Sequence, residues 1–193
     1  DKPSIVKSLP LSGMWFYKQG YEGYVEERRV DSCNYLHSRG VTREEVERYD
    51  IRYSLEKSGP YKNTIIFPVT RVGSISTLDY FVCRRYDGTK PKYVNAPWPK
   101  GDTLFITKDE SNLSDVYVIV EGILDALAIA RAGFIGVALL GKKPTSQQLD
   151  RLRKTSKRFL IYLDSDAFAQ TVELKMQLNT LGIRASFIEH DND

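Results

Sequence analysis

The chain has 193 residues, of which 41% are hydrophobic and 27% charged, and its formal net charge is +3. This length and apolar content suffice for a buried core, in one large domain or two small ones, but the net charge is too small to establish a polyanionic partner. No apolar run approaches the ~20 residues of a membrane span, and two isolated cysteines, Cys33 and Cys83, provide no disulfide framework. We therefore expect a cytoplasmic protein without a membrane partner, and the start at Asp-Lys-Pro-Ser is typical of a trimmed or internal fragment.

The N-terminal part of the chain predicts a small mixed α+β subdomain over residues 30–113, preceded by an arm, residues 1–29, to which no structure is assigned. Two helices are predicted, at Val30–Arg39 and Thr42–Tyr49, and a capping box begins the second. β-favouring segments follow between Thr64 and Tyr86. Lys90–Gly101 contains three prolines and predicts an irregular, positively charged loop.

The C-terminal part, residues 114–193, alternates apolar strand patterns with helical patterns. The predicted strands are Val116–Val120, Ile135–Leu140, Phe159–Leu163 and Ala185–Ile188. The predicted helices are Ile123–Ala132, Ser146–Lys157 and Phe168–Leu181, the first and third followed by a glycine and the second preceded by a capping box. This alternation predicts an α/β fold with a doubly wound parallel sheet, separated from the first subdomain within the polar stretch 108–115.

Acidic residues follow two of the predicted parallel strands. Glu121 comes directly after one strand, and Asp164 and Asp166 come after another. Since the carboxyl ends of parallel strands face a common crevice, and Mg²⁺ prefers oxygen ligands, the pattern predicts a divalent metal site for phosphoryl chemistry. Helix capping by Asp166 is the structural alternative.

Positive charge is clustered in two regions. From Arg71 to Lys100 there are six basic residues against two acidic ones, and from Lys142 to Arg158 there are seven against one. Clustered positive charge favours a phosphate-backbone ligand. For the second region, a solvated basic helix face is an equally good interpretation.

An ordered series of motifs resembles a known family. The series is Tyr35-Leu-His-Ser-Arg-Gly-Val-Thr, Ile65-Ile-Phe-Pro, Arg84-Arg-Tyr-Asp-Gly-Thr-Lys-Pro-Lys-Tyr-Val-Asn95, Lys100-Gly, Val120-Glu-Gly-x-x-Asp125, Ala138-Leu-Leu-Gly141 and Leu163-Asp-Ser-Asp166. The last three are similar to the Toprim domain, and the whole series resembles the RNA-polymerase core of DnaG-type primases, with bacteriophage primases looking most similar. The resemblance runs from about residue 30 to the C-terminus.

This resemblance implies template-directed synthesis of short RNA primers by metal-dependent nucleotidyl transfer. It implies Mg²⁺ or Mn²⁺ as the cofactor, held by Glu121, Asp125, Asp164, Asp166, Asp191 and Asp193, of which Glu121, Asp164 and Asp166 are the catalytic residues. It further implies that nucleotide and template are bound by Arg84, Arg85, Lys92, Asn95 and Lys100. The implied partners are single-stranded DNA, ribonucleoside triphosphates and a replicative helicase, fused or separate, and the location is the host cytoplasm if the gene is phage-encoded.

Three residues depart from the primase pattern. Lys142 stands where a threonine commonly follows the Leu-Gly pair, and Phe168 and Ala169 stand where small residues, often Ala-Gly, are usual. We expect Lys142 to add a phosphate contact and Phe168 to narrow the crevice. Two alternatives stay open at this point: a Toprim-type nuclease that uses the same carboxylates, and a non-catalytic nucleic-acid-binding module with a degenerate site.

Overall fold

The computed structural model describes residues 7–16, 27–71, 77–107, 115–156 and 158–188. The chain divides into two compact units, one ending at Lys100 and the other beginning at Gly101. Within the described ranges, every helix is too short or too polar to cross a lipid bilayer. Neither Cys33 nor Cys83 forms a disulfide, and Cys83 is buried.

The first unit contains one antiparallel sheet and two helices. Its elements are β1 (Gly13–Trp15), α1 (Glu27–Ser38), α2 (Arg43–Arg48), β2 (Arg52–Ser54), β3 (Thr64–Thr70), β4 (Leu78–Arg85) and β5 (Tyr93–Asn95). The strands lie in the sheet in chain order, and each pairs antiparallel with the next. The predicted capping box is present at α2, because the Thr42 hydroxyl accepts from the Glu45 N–H and the Glu45 side chain accepts from the Thr42 N–H.

The core of the first unit lies around β3 and β4. Ile65, Ile66 and Phe81 are almost completely buried, and Phe81 meets the Trp98 ring edge to face at 5.4 Å. The Trp98 indole N–H donates to the Asp79 carbonyl, so this buried aromatic has a polar partner as well. Pro68 is accommodated in β3 because it lies beyond the residues that pair with β2, where a missing N–H costs no ladder hydrogen bond.

The second unit is an α/β layer structure with a mostly parallel sheet. Its elements are β6 (Phe105–Ile106), β7 (Tyr117–Val120), α3 (Ile123–Arg131), β8 (Ile135–Ala138), α4 (Ser146–Thr155), β9 (Arg158–Ile161), a 3₁₀ turn (Ser165–Ala167), α5 (Phe168–Thr180) and β10 (Arg184–Phe187). The strand order is β10-β9-β7-β8-β6, in which the four longer strands are parallel and β6 is antiparallel. The predicted fold class is thus confirmed.

Four short strands were not predicted. β1 lies in the unassigned arm, and β2 lies between the second predicted helix and the β-favouring segment. β5 lies in the segment predicted as an irregular loop, and β6 lies before the predicted domain boundary. Each has two or three residues, which is too short for a period-two pattern to stand out in the sequence. Because Phe105 and Ile106 pair with β8, the second unit begins at Gly101, earlier than the predicted boundary at residues 108–115.

The contact between β8 and α3 requires a glycine in the strand. A Cβ atom on Gly136 would lie 2.3 Å from the Ala126 carbonyl oxygen and 2.7 Å from the Ala126 Cα. The Gly136 backbone also exchanges two hydrogen bonds with Thr107, one with its hydroxyl and one with its N–H. Close packing of α3 therefore depends on the missing side chain, and α3 is the helix that follows Glu121.

We predict that Gly136→Ala lowers the free energy of unfolding by about 3 kcal/mol, because the backbone of α3 must move to admit the methyl group. Gly133→Ala is the control. Gly133 has a φ of +89° but nothing within 4 Å of the new Cβ, so only the unfavourable φ costs energy, about 1–2 kcal/mol. Urea denaturation followed by circular dichroism measures both, and an unaltered midpoint for Gly136→Ala contradicts the packing argument.

Candidate metal centre and basic cluster

Parallel pairing of β7 with β9 brings the predicted acidic residues together. Tyr117, Val118 and Ile119 pair with Phe159, Leu160 and Ile161, so the two strands end at the same edge of the sheet. The Tyr162 N–H also donates to the Ile119 carbonyl at 2.8 Å, which extends the register toward the acidic residues. As a result, Glu121, Asp164 and Asp166 each offer a carboxylate oxygen, and these three atoms lie within 4.8 Å of one another.

Glu121 is the least exposed member of this acidic cluster. Its Oε1 atom is buried and has no hydrogen-bond partner among the described residues. Burial raises the pKa of Glu121, the negative charge of Asp164 raises it further, and the positive charge of Lys142 works in the opposite direction. A buried carboxylate oxygen to which none of the described residues donates, beside two further carboxylates, suits a hard divalent cation that takes oxygen ligands.

Asp164 and Asp166 are exposed and belong to the 3₁₀ turn that precedes α5. Asp164 is in the N-cap position of that turn but makes no capping hydrogen bond with its side chain. Helix α5 begins at Phe168, with Ala167 rather than Asp166 in the N-cap position. The alternative that Asp166 caps the helix is therefore wrong, and the carboxylates of Asp164 and Asp166 both belong to the acidic cluster.

The loop after β8 places two lysines beside this region. Leu140 has a φ of +58°, which is unusual for a residue with a branched side chain, and Gly141 follows in a conformation open to glycine. Lys142 Nζ lies 2.7 Å from Asp166 Oδ2, and Lys143 Nζ lies 2.9 Å from Glu173 Oε2. The hydrogen bond from Lys142 lowers the pKa of Asp166, and the same contact raises the pKa of Lys142.

Gln148 fixes the backbone around this loop. Its side chain is fully buried, and its amide nitrogen donates to the carbonyls of Thr103 at 2.6 Å and Leu139 at 2.9 Å. Its amide oxygen accepts from the Thr145 N–H, which completes the predicted capping box of α4. Since Leu139 directly precedes the positive-φ residue Leu140, Gln148 anchors the start of the loop that carries Lys142.

Of the remaining predicted metal ligands, only Asp125 lies among the described residues, and it is not part of the cluster. Asp125 lies in the first turn of α3, half-buried, and is not among the three residues whose ligand atoms converge. Asp191 and Asp193 lie outside the described residues. Their predicted contribution to a metal site stays a prediction.

In the first unit, Arg84 is held between two tyrosines. Its Nε donates to the Tyr35 hydroxyl at 2.8 Å, and its Cζ lies 4.7 Å from the centroid of the Tyr93 ring. Its Nη1 is buried and has no hydrogen-bond partner among the described residues. A guanidinium with an unused, desolvated donor is suited to an incoming oxyanion.

The other predicted basic residues differ in their surroundings. Arg85 donates to three backbone carbonyls, those of Pro60, Lys62 and Pro91. These bonds favour a role in holding the segment before β3 and the segment before β5. Asn95 on β5 and Lys92 directly before it are both exposed. Lys100 is half-buried, and burial lowers its pKa. The binding roles of Arg85, Lys92, Asn95 and Lys100 stay predictions.

The sequence did not indicate that Tyr35 contacts Arg84, or that Gln148 holds the loop that carries Lys142. Tyr35 belongs to one of the quoted motifs, but nothing in the sequence shows that its hydroxyl reaches β4, 49 positions away. The sequence predicts a capping box at the start of α4, in which Gln148 is the N3 residue, but it does not show that the Gln148 amide also donates to the carbonyls of Thr103 and Leu139. Phe168, expected to narrow the crevice, lies edge to face on Phe187 with ring centroids 6.0 Å apart.

Comparison with known proteins supports the predicted resemblance. Residues 118–190 match the Toprim-like family model. DNA primases of Clostridium acetobutylicum, Rickettsia felis and Thermotoga maritima are 28%, 27% and 28% identical to the chain over 79%, 100% and 91% of its length. The chain spans only 27%, 38% and 32% of these relatives.

Solved structures show the same fold. The Aquifex aeolicus primase structure, with zinc-binding and RNA polymerase domains, aligns with a TM-score of 0.71 at 20% identity, over 83% of this chain and 49% of that one. A DnaG primase catalytic domain bound to single-stranded DNA aligns with a TM-score of 0.66 at 19% identity, over 92% of this chain and 68% of that one. The resemblance to DnaG-type primases is therefore confirmed in sequence and in fold.

We predict that Glu121→Gln stabilises the metal-free protein at neutral pH. The folded-state pKa of Glu121 lies above its ordinary value of 4.5, so the folded state holds this proton more tightly than the unfolded state. Stability of the parent chain is therefore lost as pH rises from about 4.5 through the folded-state pKa. The melting temperature of Glu121→Gln in a chelator should exceed that of the parent at pH 7 and equal it at pH 4.

Asp150→Asn is the matched control for this experiment, because Asp150 is an exposed carboxylate on α4. It should leave the melting temperature unchanged at both pH values. A Glu121→Gln protein that melts below its parent at pH 7 contradicts the assignment of Glu121 as a desolvated, repelled carboxylate.

Proposed function

We propose that this chain, with a Toprim-like C-terminal unit and the fold of the DnaG catalytic core, is the RNA-polymerase core of a DNA primase. Its proposed reaction is template-directed joining of ribonucleotides on single-stranded DNA. The observation that carries the proposal is the convergence of Glu121, Asp164 and Asp166 at one sheet edge, where a buried oxygen of Glu121 receives no hydrogen bond from the described residues. Primer synthesis needs such a site because negative charge builds up on the reacting phosphate.

The proposed cofactor is Mg²⁺ or Mn²⁺, held by Glu121, Asp164 and Asp166, with Asp125, Asp191 and Asp193 as further proposed ligands. When bound, divalent cations lower the cost of the attacking alkoxide and neutralise charge on the departing pyrophosphate. The protein's own contribution is to hold three carboxylates just beyond the ends of two paired strands, so that they are already close together when substrate arrives.

The basic residues of the first unit are proposed to bind the polyanionic partners. Arg84 is oriented by Tyr35, and its buried Nη1 has no partner among the described residues, so it can donate to a phosphate without breaking an existing bond there. Tyr93 is 44% exposed and offers a ring on which a base can stack. Arg85, Lys92, Asn95 and Lys100 are proposed as additional contacts, and Lys142 as a phosphate contact next to the acidic cluster.

A Toprim-type nuclease would use the same three carboxylates to direct water at a phosphodiester. The arrangement around Arg84 argues for polymerisation, because hydrolysis needs no site for a nucleoside triphosphate. Incubation with ribonucleoside triphosphates, Mg²⁺ and a single-stranded template distinguishes the two. A primase yields RNA products of several nucleotides, a nuclease shortens the template, and a non-catalytic binding module does neither. A replicative helicase, fused or separate, is the proposed protein partner.

We predict that Asp164→Ala reduces primer synthesis at least about a hundredfold, because it removes one of the three converging oxygen ligands. Binding to single-stranded DNA should be retained or become tighter, since a negative charge near phosphates is lost. Asp150→Asn is the control and should keep full activity. Labelled ribonucleotide incorporation and fluorescence anisotropy measure the two properties, and full primer synthesis by Asp164→Ala refutes the site.

We also predict that Arg84→Ala weakens binding of single-stranded DNA or nucleotide and makes it less sensitive to salt. Loss of one phosphate contact should reduce the slope of log K against log salt by about 0.7. Arg43→Ala is the charge-matched control, because Arg43 lies on α2 in an exposed pair with Glu47. An unchanged slope for Arg84→Ala, measured by anisotropy between low and moderate salt, argues against a phosphate contact there.

A further inference from the structure

Lys142 is one of the three residues that depart from the primase pattern, and its side chain contacts the acidic cluster. Its ammonium lies 2.7 Å from Asp166 Oδ2. Asp166 is also one of the three residues whose ligand oxygens converge within 4.8 Å. The ammonium therefore sits on a carboxylate that belongs to the proposed metal site.

The electrostatic setting explains why a lysine occupies this position. Three carboxylates at short range repel one another, and the negative charges of Asp164 and Asp166 contribute to the raised pKa of Glu121. The positive charge of Lys142 attracts all three carboxylates. Asp166, Glu121 and Asp164 in turn raise the pKa of Lys142. One ammonium thus provides part of the charge compensation that a divalent cation would provide to a greater extent.

The backbone that leads to Lys142 is held by a hydrogen bond and by its local conformation. The loop that carries it starts at Leu139, whose carbonyl is held by Gln148, and continues through the positive-φ residues Leu140 and Gly141. The next residue, Lys143, is paired with Glu173 on α5 and offers a neighbouring lysine outside the cluster.

We propose that Lys142 competes with the divalent cation for Asp166, so that the cation displaces the ammonium when it binds. The inference rests on the proposed metal site. It follows because an ammonium donates to the carboxylate lone pairs that a metal must coordinate, and because two cations on one carboxylate repel each other. Once displaced, Lys142 is a positively charged side chain next to the metal site that no longer donates to Asp166.

The test is the affinity of the full 193-residue chain for Mn²⁺, measured by the electron paramagnetic resonance signal of free Mn²⁺ during titration. Lys142→Met keeps the length of the side chain and removes its charge. It should bind Mn²⁺ about two- to fivefold more tightly than the parent, as expected for the loss of an exposed ion pair. Lys142→Arg keeps the charge and should bind with nearly the parent affinity.

Lys143→Met controls for general loss of positive charge in the same loop, and its affinity should equal that of the parent. Parent-like or weaker binding by Lys142→Met overturns the proposal, as does an equal gain for Lys142→Met and Lys143→Met. Glu121→Gln separates this failure from failure of the metal site. If Glu121→Gln weakens binding while Lys142→Met has no effect, only the competition is refuted. If none of the proteins binds Mn²⁺, both the metal site and the competition are refuted.

Discussion

The parallel pairing of β7 with β9 is the constraint on which the candidate site depends. It aligns two apolar strands so that both end at one edge of the sheet, and the acidic residues that follow them then meet. Neither strand achieves this alone, because Glu121 and Asp164 are separated by most of two strand–helix units. Central residues such as Ile119, Val137 and Ile161 are completely buried, so the energy that fixes the register is hydrophobic while the residues it delivers are charged.

The same arrangement imposes an electrostatic cost. Glu121 is partly desolvated and faces two other carboxylates, which disfavours its charged form. Proteins tolerate such unfavourable groups where function requires them, and here the compensation is partial, through one lysine and a backbone hydrogen bond from Asp164. A comparable situation exists in the first unit, where Arg84 has a buried donor that the described residues leave unused. Both places fit the ligands of opposite charge that are proposed for them.

Much of the second unit was predictable, because its strands and helices have strong local signals. The capping boxes at Thr42 and Thr145 and the glycines after α3 and α5, Gly133 and Gly182, occur as the sequence indicated. The proximity of Glu121, Asp164 and Asp166 could be predicted, because the carboxyl ends of parallel strands generally meet at one edge of the sheet. Contacts between distant segments were not predictable in this way. The Tyr35 hydroxyl on Arg84 and the Lys142 ammonium on Asp166 depend on side-chain reach and loop direction, and a two-residue strand such as β6 has no periodic signature.

Helix α4 binds the segment that enters the second unit through three successive carbonyls. Thr145, Arg151 and Gln148 donate to the carbonyls of Gly101, Asp102 and Thr103, respectively. A truncated fragment that starts at residue 114 would therefore lose β6, expose the β8 edge and leave the buried Gln148 amide one acceptor short. An independently folding version of this unit has to include Gly101, and residues 101–107, which precede the Toprim-like match, are as much a part of its architecture as the matched strands.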